Sequence, residues 1–90
     1  MNLFMGPSKN EKSSIRRALL AMPSPPGFVK VGFRDRSRKY YITVHWTESC
    51  DWVKLVWNSV RQVLSDHGMS AYLTSGGWIN ANATFRIISK

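Results

Sequence analysis

The residues with the clearest chemical capacity in this sequence are cations crowded into one short stretch: Lys30, Arg34, Arg36, Arg38 and Lys39. Guanidinium groups bind phosphate through paired hydrogen bonds, and each neutralised phosphate releases counterions, which makes the affinity sensitive to salt. Tyr41 follows the stretch, and a tyrosine beside such cations can stack on an unpaired base. The stretch therefore predicts a phosphate-binding surface. The alternative is a solvated loop that stays charged for solubility and discourages edge pairing.

A second group of cations lies near the N-terminus: Lys9, Lys12, Arg16 and Arg17. Residues 1–46 hold nine Lys or Arg against two acids, so they carry +7 of the net charge of +8. Such an asymmetry predicts one polyanion-binding face, provided that both groups lie on the same side of the molecule. A basic helix could instead lie on an anionic membrane, but its apolar positions lack bulky aromatics, which favours packing in a core.

Catalytic and metal chemistry find little support. His45, His67 and Cys50 have none of the tight spacings of metal motifs, so neither a metal nor another cofactor is predicted. The acidic residues do not cluster, as two-metal catalysis would require, and we predict a protein that is not an enzyme. Two histidines could cut RNA by general acid–base chemistry, which keeps a small ribonuclease as a third hypothesis. Cys50 is interpreted as a half-buried structural residue rather than an activated thiol.

The tryptophans suggest a different kind of surface. The chain has four of them, more than so small a core can hold centrally. Trp52 lies beside the apolar stripe of a predicted helix, and Trp78 follows a pair of glycines. Exposed Trp is a typical interface anchor, so both residues are candidates for a protein-binding or dimer surface. The alternative is that they cover the edges of the core.

Apolar spacing predicts the elements that must position these residues. The spacing of Ser8 and Glu11 fits a capping box that opens a helix over Lys9–Met22. A proline-rich connector, residues 23–27, must end that helix. Alternation then predicts strands over Phe28–Phe33 and Tyr40–Trp46 around a loop at Arg34–Arg38.

The second half repeats the order of one helix and two strands. Thr47 or Ser49 is expected to cap the second helix, whose apolar stripe runs to a terminating Gly68. Two further strands, Met69–Thr74 and Trp78–Ser89, flank Ser75-Gly76-Gly77 as the second hairpin loop.

These elements predict one α+β domain over residues 1–90, in the order αββαββ, with residues 1–7 as a flexible lead-in. Two helices would pack on one face of a four-stranded antiparallel sheet. A single cysteine argues against a disulfide scaffold, and no apolar run approaches the roughly 20 residues that span a bilayer. We expect an intracellular protein, cytoplasmic or nuclear, that is not secreted.

No motif assigns the chain to a family. A basic N-terminus, Pro23-Ser24-Pro25-Pro26 and a strand at Tyr40–Val44 before a helix are similar to the opening half of rhabdovirus-type matrix proteins. The proline segment departs from that family's P-S/T-A-P form at its third position, and the chain is much shorter. The resemblance implies polyanion binding together with self-association.

The sequence thus leads to three ranked hypotheses. The first is a nucleic-acid-binding protein, for RNA or DNA, that uses the basic hairpin and the basic first helix. The second is a protein-interaction module, such as a viral or phage accessory, inhibitor or matrix-like protein, that binds an acidic partner through Arg and exposed Trp. The third is the ribonuclease.

Overall fold

A computed structural model describes residues 4–77 and 79–89 of the chain. The elements, in chain order, are α1 (Lys9–Leu20), β1 (Phe28–Arg36), β2 (Lys39–Trp46), a π-helical segment (Trp52–Trp57) that continues into α2 (Asn58–Asp66), β3 (Met69–Gly77) and β4 (Asn82–Ser89). This order confirms the predicted α+β class and the αββαββ succession.

The four strands form one antiparallel sheet in the order β1-β2-β4-β3. Each hairpin keeps its own pair of strands, and the two hairpins join where β2 pairs with β4, with Ile42 opposite Phe85. Helix α1 contacts β1, α2 contacts β3, and the two helices contact each other. Both helices therefore cover the same face of the sheet.

The core lies between this helix pair and the covered face of the sheet. Alternate residues of the strands are buried there, Ile42 and Val44 in β2 and Phe85 and Ile87 in β4 among them. Side chains of both helices complete the cluster: Ile15, Leu19, Val56, Val60, Val63 and Leu64. Burying each large apolar side chain contributes about 1.5–3 kcal/mol. Because strand side chains alternate between faces, the residues between the buried ones lie on the other face.

Helix α1 begins as the sequence predicts and ends two residues earlier. The backbone N–H of Glu11 donates to Ser8 Oγ at 3.1 Å, and the Ser8 N–H donates to Glu11 Oε1 at 2.8 Å, which completes the capping box. The helix ends at Leu20 rather than Met22. Ahead of it, the Phe4 ring lies edge-on to Tyr40 at 5.5 Å. The first three residues of the predicted lead-in lie outside the described residues.

The first hairpin has a shorter loop than predicted. Instead of a loop over Arg34–Arg38, β1 continues to Arg36 and β2 begins at Lys39. The remaining two residues, Ser37 and Arg38, have φ of 53° and 65°. Two successive left-handed residues match the twist of the flanking strands, so pairing persists to the turn.

The second helix begins later than predicted, because neither expected cap, Thr47 or Ser49, caps it. Thr47 bonds back to the proline-rich connector, where its N–H donates to the carbonyls of Pro26 and Gly27 at 3.3 and 3.2 Å. Asp51 is the cap instead, and its Oδ1 accepts from the N–H groups of Val53 and Lys54. The first turn is π-helical before the segment becomes α2.

The second hairpin turns after the glycine pair rather than at it. Ser75, Gly76 and Gly77 remain paired with β4, opposite Thr84, Ala83 and Asn82 respectively. Gly76 has φ of 97°, and a Cβ there would collide with the backbone carbonyl of Asn82. The predicted loop is therefore wrong, and β4 begins at Asn82. Trp78 lies outside the described residues.

Candidate nucleic-acid interface

The sheet face that carries neither helix holds most of the residues of interest. We call it the open face, and define it by side chains that alternate with the core positions: Lys30, Gly32, Arg34, Arg36, Lys39, Tyr41, Thr43, His45, Tyr72, Asn82, Thr84 and Arg86. Of the hairpin cations predicted to bind phosphate, four lie on this face. The fifth, Arg38, lies in the turn at its end.

One row of residues crosses the open face with alternating chemistry. Arg34 pairs with Tyr41, Tyr41 with Arg86, and Arg86 with Tyr72, one residue from each strand. The Arg34 guanidinium carbon lies 6.0 Å from the centre of the Tyr41 ring. Arg86 Nη1 donates to the Tyr72 hydroxyl at 3.1 Å. With strands about 4.8 Å apart, this Arg–Tyr row spans roughly 14 Å.

Beside the Arg–Tyr row lies a shallow groove of about 350 Å³, lined by Lys30, Gly32, Phe33, Arg34, Thr43, His45 and Thr84. Thr43 Oγ1 and Thr84 Oγ1 are hydrogen-bonded to each other at 3.0 Å across its floor. A Cβ added to Gly32 would meet no atom within 4 Å, so the groove is open above that residue. Hydroxyl and imidazole groups here could accept or donate hydrogen bonds to a bound polar ligand.

The charge on the open face has one sign. Its cations are Lys30, Arg34, Arg36, Lys39 and Arg86. All five acidic residues fall within the described part of the chain, and none lies on this face: Glu11 caps α1, Asp35 pairs with Tyr40 on the helix side, Glu48 and Asp51 precede α2, and Asp66 ends α2. No carboxylate on the same face neutralises these cations, so the face carries a net positive charge.

The cations of α1 lie on the other side of the sheet. Arg16 Nε donates to the carbonyl of Val31 at 3.0 Å, and its guanidinium carbon lies 5.5 Å from the centre of the Phe33 ring. Arg16 therefore holds α1 against β1. Lys9 and Arg17 are exposed, and Lys12 is half-buried. The structure does not bring these four residues onto the surface that carries Arg34 and Tyr41, as a single binding face would require.

Sequence reasoning missed two members of the Arg–Tyr row, Arg86 and Tyr72. Each lies between apolar residues whose side chains point into the core, Arg86 between Phe85 and Ile87. That alternation was a sufficient signal that both face away from the core. Their place beside Tyr41 depends on the pairing of β2 with β4, which the alternation of a single strand does not specify.

The two histidines do not come together. His45 pairs with Asn82 at the start of β4, whereas His67 lies two residues before Met69, which pairs with Ser89 at the end of β4. Seven residues of strand correspond to roughly 23 Å. His67 Nδ1 lies 2.9 Å from the carbonyl oxygen of Val63, at the C-terminal end of α2. A two-histidine site for RNA cleavage is therefore not assembled.

Cys50 has the properties of a structural thiol. It is free and half-buried. Burial raises the pKa of the thiol, and the nearby carboxylates of Asp51 and Glu48 raise it further.

In residues 4–77 and 79–89, no three His, Cys, Asp or Glu side chains are grouped to hold a metal ion. Within the same ranges, no helix is long and apolar enough to cross a membrane.

Trp52 lies at the opposite end of the molecule from the first hairpin turn. It is half-buried, and its indole lies against Gly77 at the end of β3. It also lines a groove with Ile79, which is 78% exposed. The other predicted interface residue, Trp78, belongs to the part of the chain that the structure does not describe.

Comparisons with protein-family models, with curated proteins and with solved structures found no match to this chain. The fold and the candidate site together define a small α+β domain with one basic sheet face. Its function has to be inferred from the chemistry of that face.

Proposed function

We propose that this protein binds nucleic acid through the open face and that it is not an enzyme. The observation that carries the proposal is the grouping of five cations and two tyrosines on one sheet face that holds no acidic side chain. Nucleic acids are the common cellular polyanions that match such a surface, because they offer phosphates to the cations and bases to the aromatic rings. An intracellular location, where nucleic acids are found, is part of the proposal.

Binding would depend mainly on the phosphates. Arginine forks fit phosphate oxygens bidentately, and release of counterions supplies affinity without reading the bases. The open face is formed by strands, and both helices lie on the other side of the sheet, so the proposed contact places no recognition helix in a major groove. We therefore expect low sequence selectivity.

A matched pair of charge-reversal variants tests the proposal. The variant Lys30→Glu/Arg34→Glu changes the open face, and Arg17→Glu/Lys54→Glu makes the same change in net charge at exposed positions on the helical side. Fluorescence anisotropy with labelled oligonucleotides at low and physiological salt should show salt-sensitive binding. The open-face variant should lose most of it, and the helical-side variant should retain it.

Equal losses in the two variants would contradict the open face as the site and favour an undirected effect of net charge. Absence of binding by the wild-type protein at low salt would remove nucleic acid as the ligand. Circular dichroism of both variants shows whether each retains the fold.

A protein partner is the second candidate, favoured by the groove that Trp52 and Ile79 line. The exposure of Ile79 is unusual for an apolar side chain that has a half-buried tryptophan beside it. A labelled polyglutamate peptide serves as the acidic probe. The candidate is supported if that peptide binds more tightly than an oligonucleotide of equal charge and if the charge-neutral variant Ile79→Ser weakens its binding.

A further inference from the structure

We infer that the open face selects single-stranded nucleic acid, because Tyr41 and Tyr72 are placed to stack on unpaired bases between phosphate-binding arginines. The inference rests on the proposed function and specifies its ligand. It concerns the Arg–Tyr row alone, in which Arg34, Tyr41, Arg86 and Tyr72 follow one another across the four strands.

The spacing of the two tyrosines favours an unstacked strand. They lie on β2 and β3, with β4 between them, so their backbones are roughly 10 Å apart. Bases within one strand of a duplex are only about 3.4 Å apart, and both of their faces are covered by neighbours. Two rings fixed at the larger distance can therefore each take a base only from a strand whose bases are separated.

Both rings are at least partly exposed, and each contacts an arginine. Tyr72 is 42% exposed, and its hydroxyl accepts the hydrogen bond from Arg86 Nη1. Tyr41 is half-buried, and the Arg34 guanidinium lies over its ring, so a base that stacks on that face would displace the guanidinium. Rings that are already ordered lose little side-chain freedom when a base stacks on them. Arg34 and Arg86 would meet the phosphates that flank those bases.

The first hairpin could bind nucleic acid in a different way, and the experiment must distinguish that binding mode from base stacking on the tyrosines. A two-stranded ribbon can enter the major groove of a duplex, and the tip of this hairpin carries Arg36, Arg38 and Lys39. In that mode the duplex would bind better than the single strand. Removing the hairpin-tip charges would then lower the binding affinity more than removing the tyrosine rings.

The test compares three labelled probes of equal length: a pyrimidine-rich single strand, the same sequence as a duplex, and a base-free phosphodiester strand. Both ribose and deoxyribose versions of the single strand are titrated, since stacking is common to the two. Wild-type protein should bind the base-containing single strand tightest. In Tyr41→Ala and Tyr72→Ala, affinity for that strand should fall about 10-fold each, with little change on the base-free strand.

Phenylalanine variants provide the matched control. Tyr41→Phe keeps the ring and should remain within about twofold of wild type on every probe, whereas Tyr72→Phe keeps the ring but loses the hydrogen bond from Arg86 and should fall between wild type and Tyr72→Ala. Because both tyrosines lie outside the buried core, the alanine variants should fold, and thermal melts verify this. Binding of the duplex as tight as that of the single strand, or alanine losses that are equal on the base-free strand, would overturn the inference while leaving the proposed function intact. Failure to bind any probe would instead overturn the proposed function.

Discussion

Arginines that look alike in the sequence have different environments in the structure. Arg16 and Arg17 are neighbours in one helix, yet Arg16 contacts β1 through the Val31 carbonyl and the Phe33 ring, whereas Arg17 is an exposed residue. Arg86 lies half-buried in a central strand, beside Tyr72. Composition and local spacing identify a basic protein, but they do not separate an arginine that stabilises the fold from one that is free to bind.

The difference between Arg16 and Arg17 predicts different effects on stability. Arg16→Ala should lower the free energy of unfolding by about 1–2 kcal/mol, because it removes a hydrogen bond and a cation–π contact. Arg17→Ala should change it by less than about 0.5 kcal/mol, as is usual for an exposed residue. Urea denaturation of both variants measures the difference. Equal midpoints would contradict the role assigned to Arg16.

The environment of Cys50 predicts slow thiol chemistry. Burial and the nearby carboxylates raise the pKa of the thiol, so the reactive thiolate is scarcer at neutral pH than in an exposed cysteine. Iodoacetamide should alkylate the folded protein more slowly than the urea-unfolded protein, and the rate should increase only at alkaline pH. Since the folded state holds this proton more tightly, stability should also fall as pH rises above the unfolded pKa. Rapid alkylation of the folded protein at neutral pH would contradict this account.

At the scale of elements, alternation and capping residues were enough to predict the fold class. The strand that contains Ile42 and Val44 and the capping box of Ser8 were both predicted from local pattern alone. The start of the second helix was not predicted correctly, because Thr47 is hydrogen-bonded to the proline-rich connector, which is distant in sequence. The two-residue turn of the first hairpin was not predicted either, because Ser37 and Arg38 adopt left-handed φ without the Asn or Gly that usually marks such a turn.

Two glycines of the sheet predict opposite outcomes for the same substitution. Gly76→Ala should destabilise the protein by about 2 kcal/mol or more, because alanine is strained at positive φ and its Cβ would collide with the Asn82 carbonyl. Gly32→Ala should be tolerated, since a Cβ there meets open space on the open face. Thermal denaturation compares the two. A stable Gly76→Ala variant would contradict the pairing of Gly76 with β4.

At the scale of the whole molecule, the basic residues are divided between two surfaces, the helical side and the open face of the sheet. The sequence placed +7 of the charge in residues 1–46 but did not reveal that α1 and β1 present it on opposite sides. Strand order and register decide which cations become neighbours. They brought Arg86 from the second half of the chain beside Tyr41, and no local pattern carries that information.

The number of cations on the open face predicts the salt dependence of binding. Three to five phosphate contacts on a single strand give a slope of log K against log salt between about −2 and −3.5. Removing two charges with Lys30→Gln/Arg34→Gln should make the slope shallower by about 1.4. Anisotropy titrations over a range of salt concentrations measure both values. A slope near zero would mean that phosphates are not the main contacts.

The most direct test of the open face is to map the contact residue by residue. A short single-stranded oligonucleotide is titrated into ¹⁵N-labelled protein, and the backbone amide resonances are followed by NMR. We expect the largest shifts at Lys30, Arg34, Tyr41, Thr43, Tyr72 and Arg86, with α1 little changed. Shifts concentrated on Lys9–Arg17 of α1, or no shifts at low salt, would contradict it.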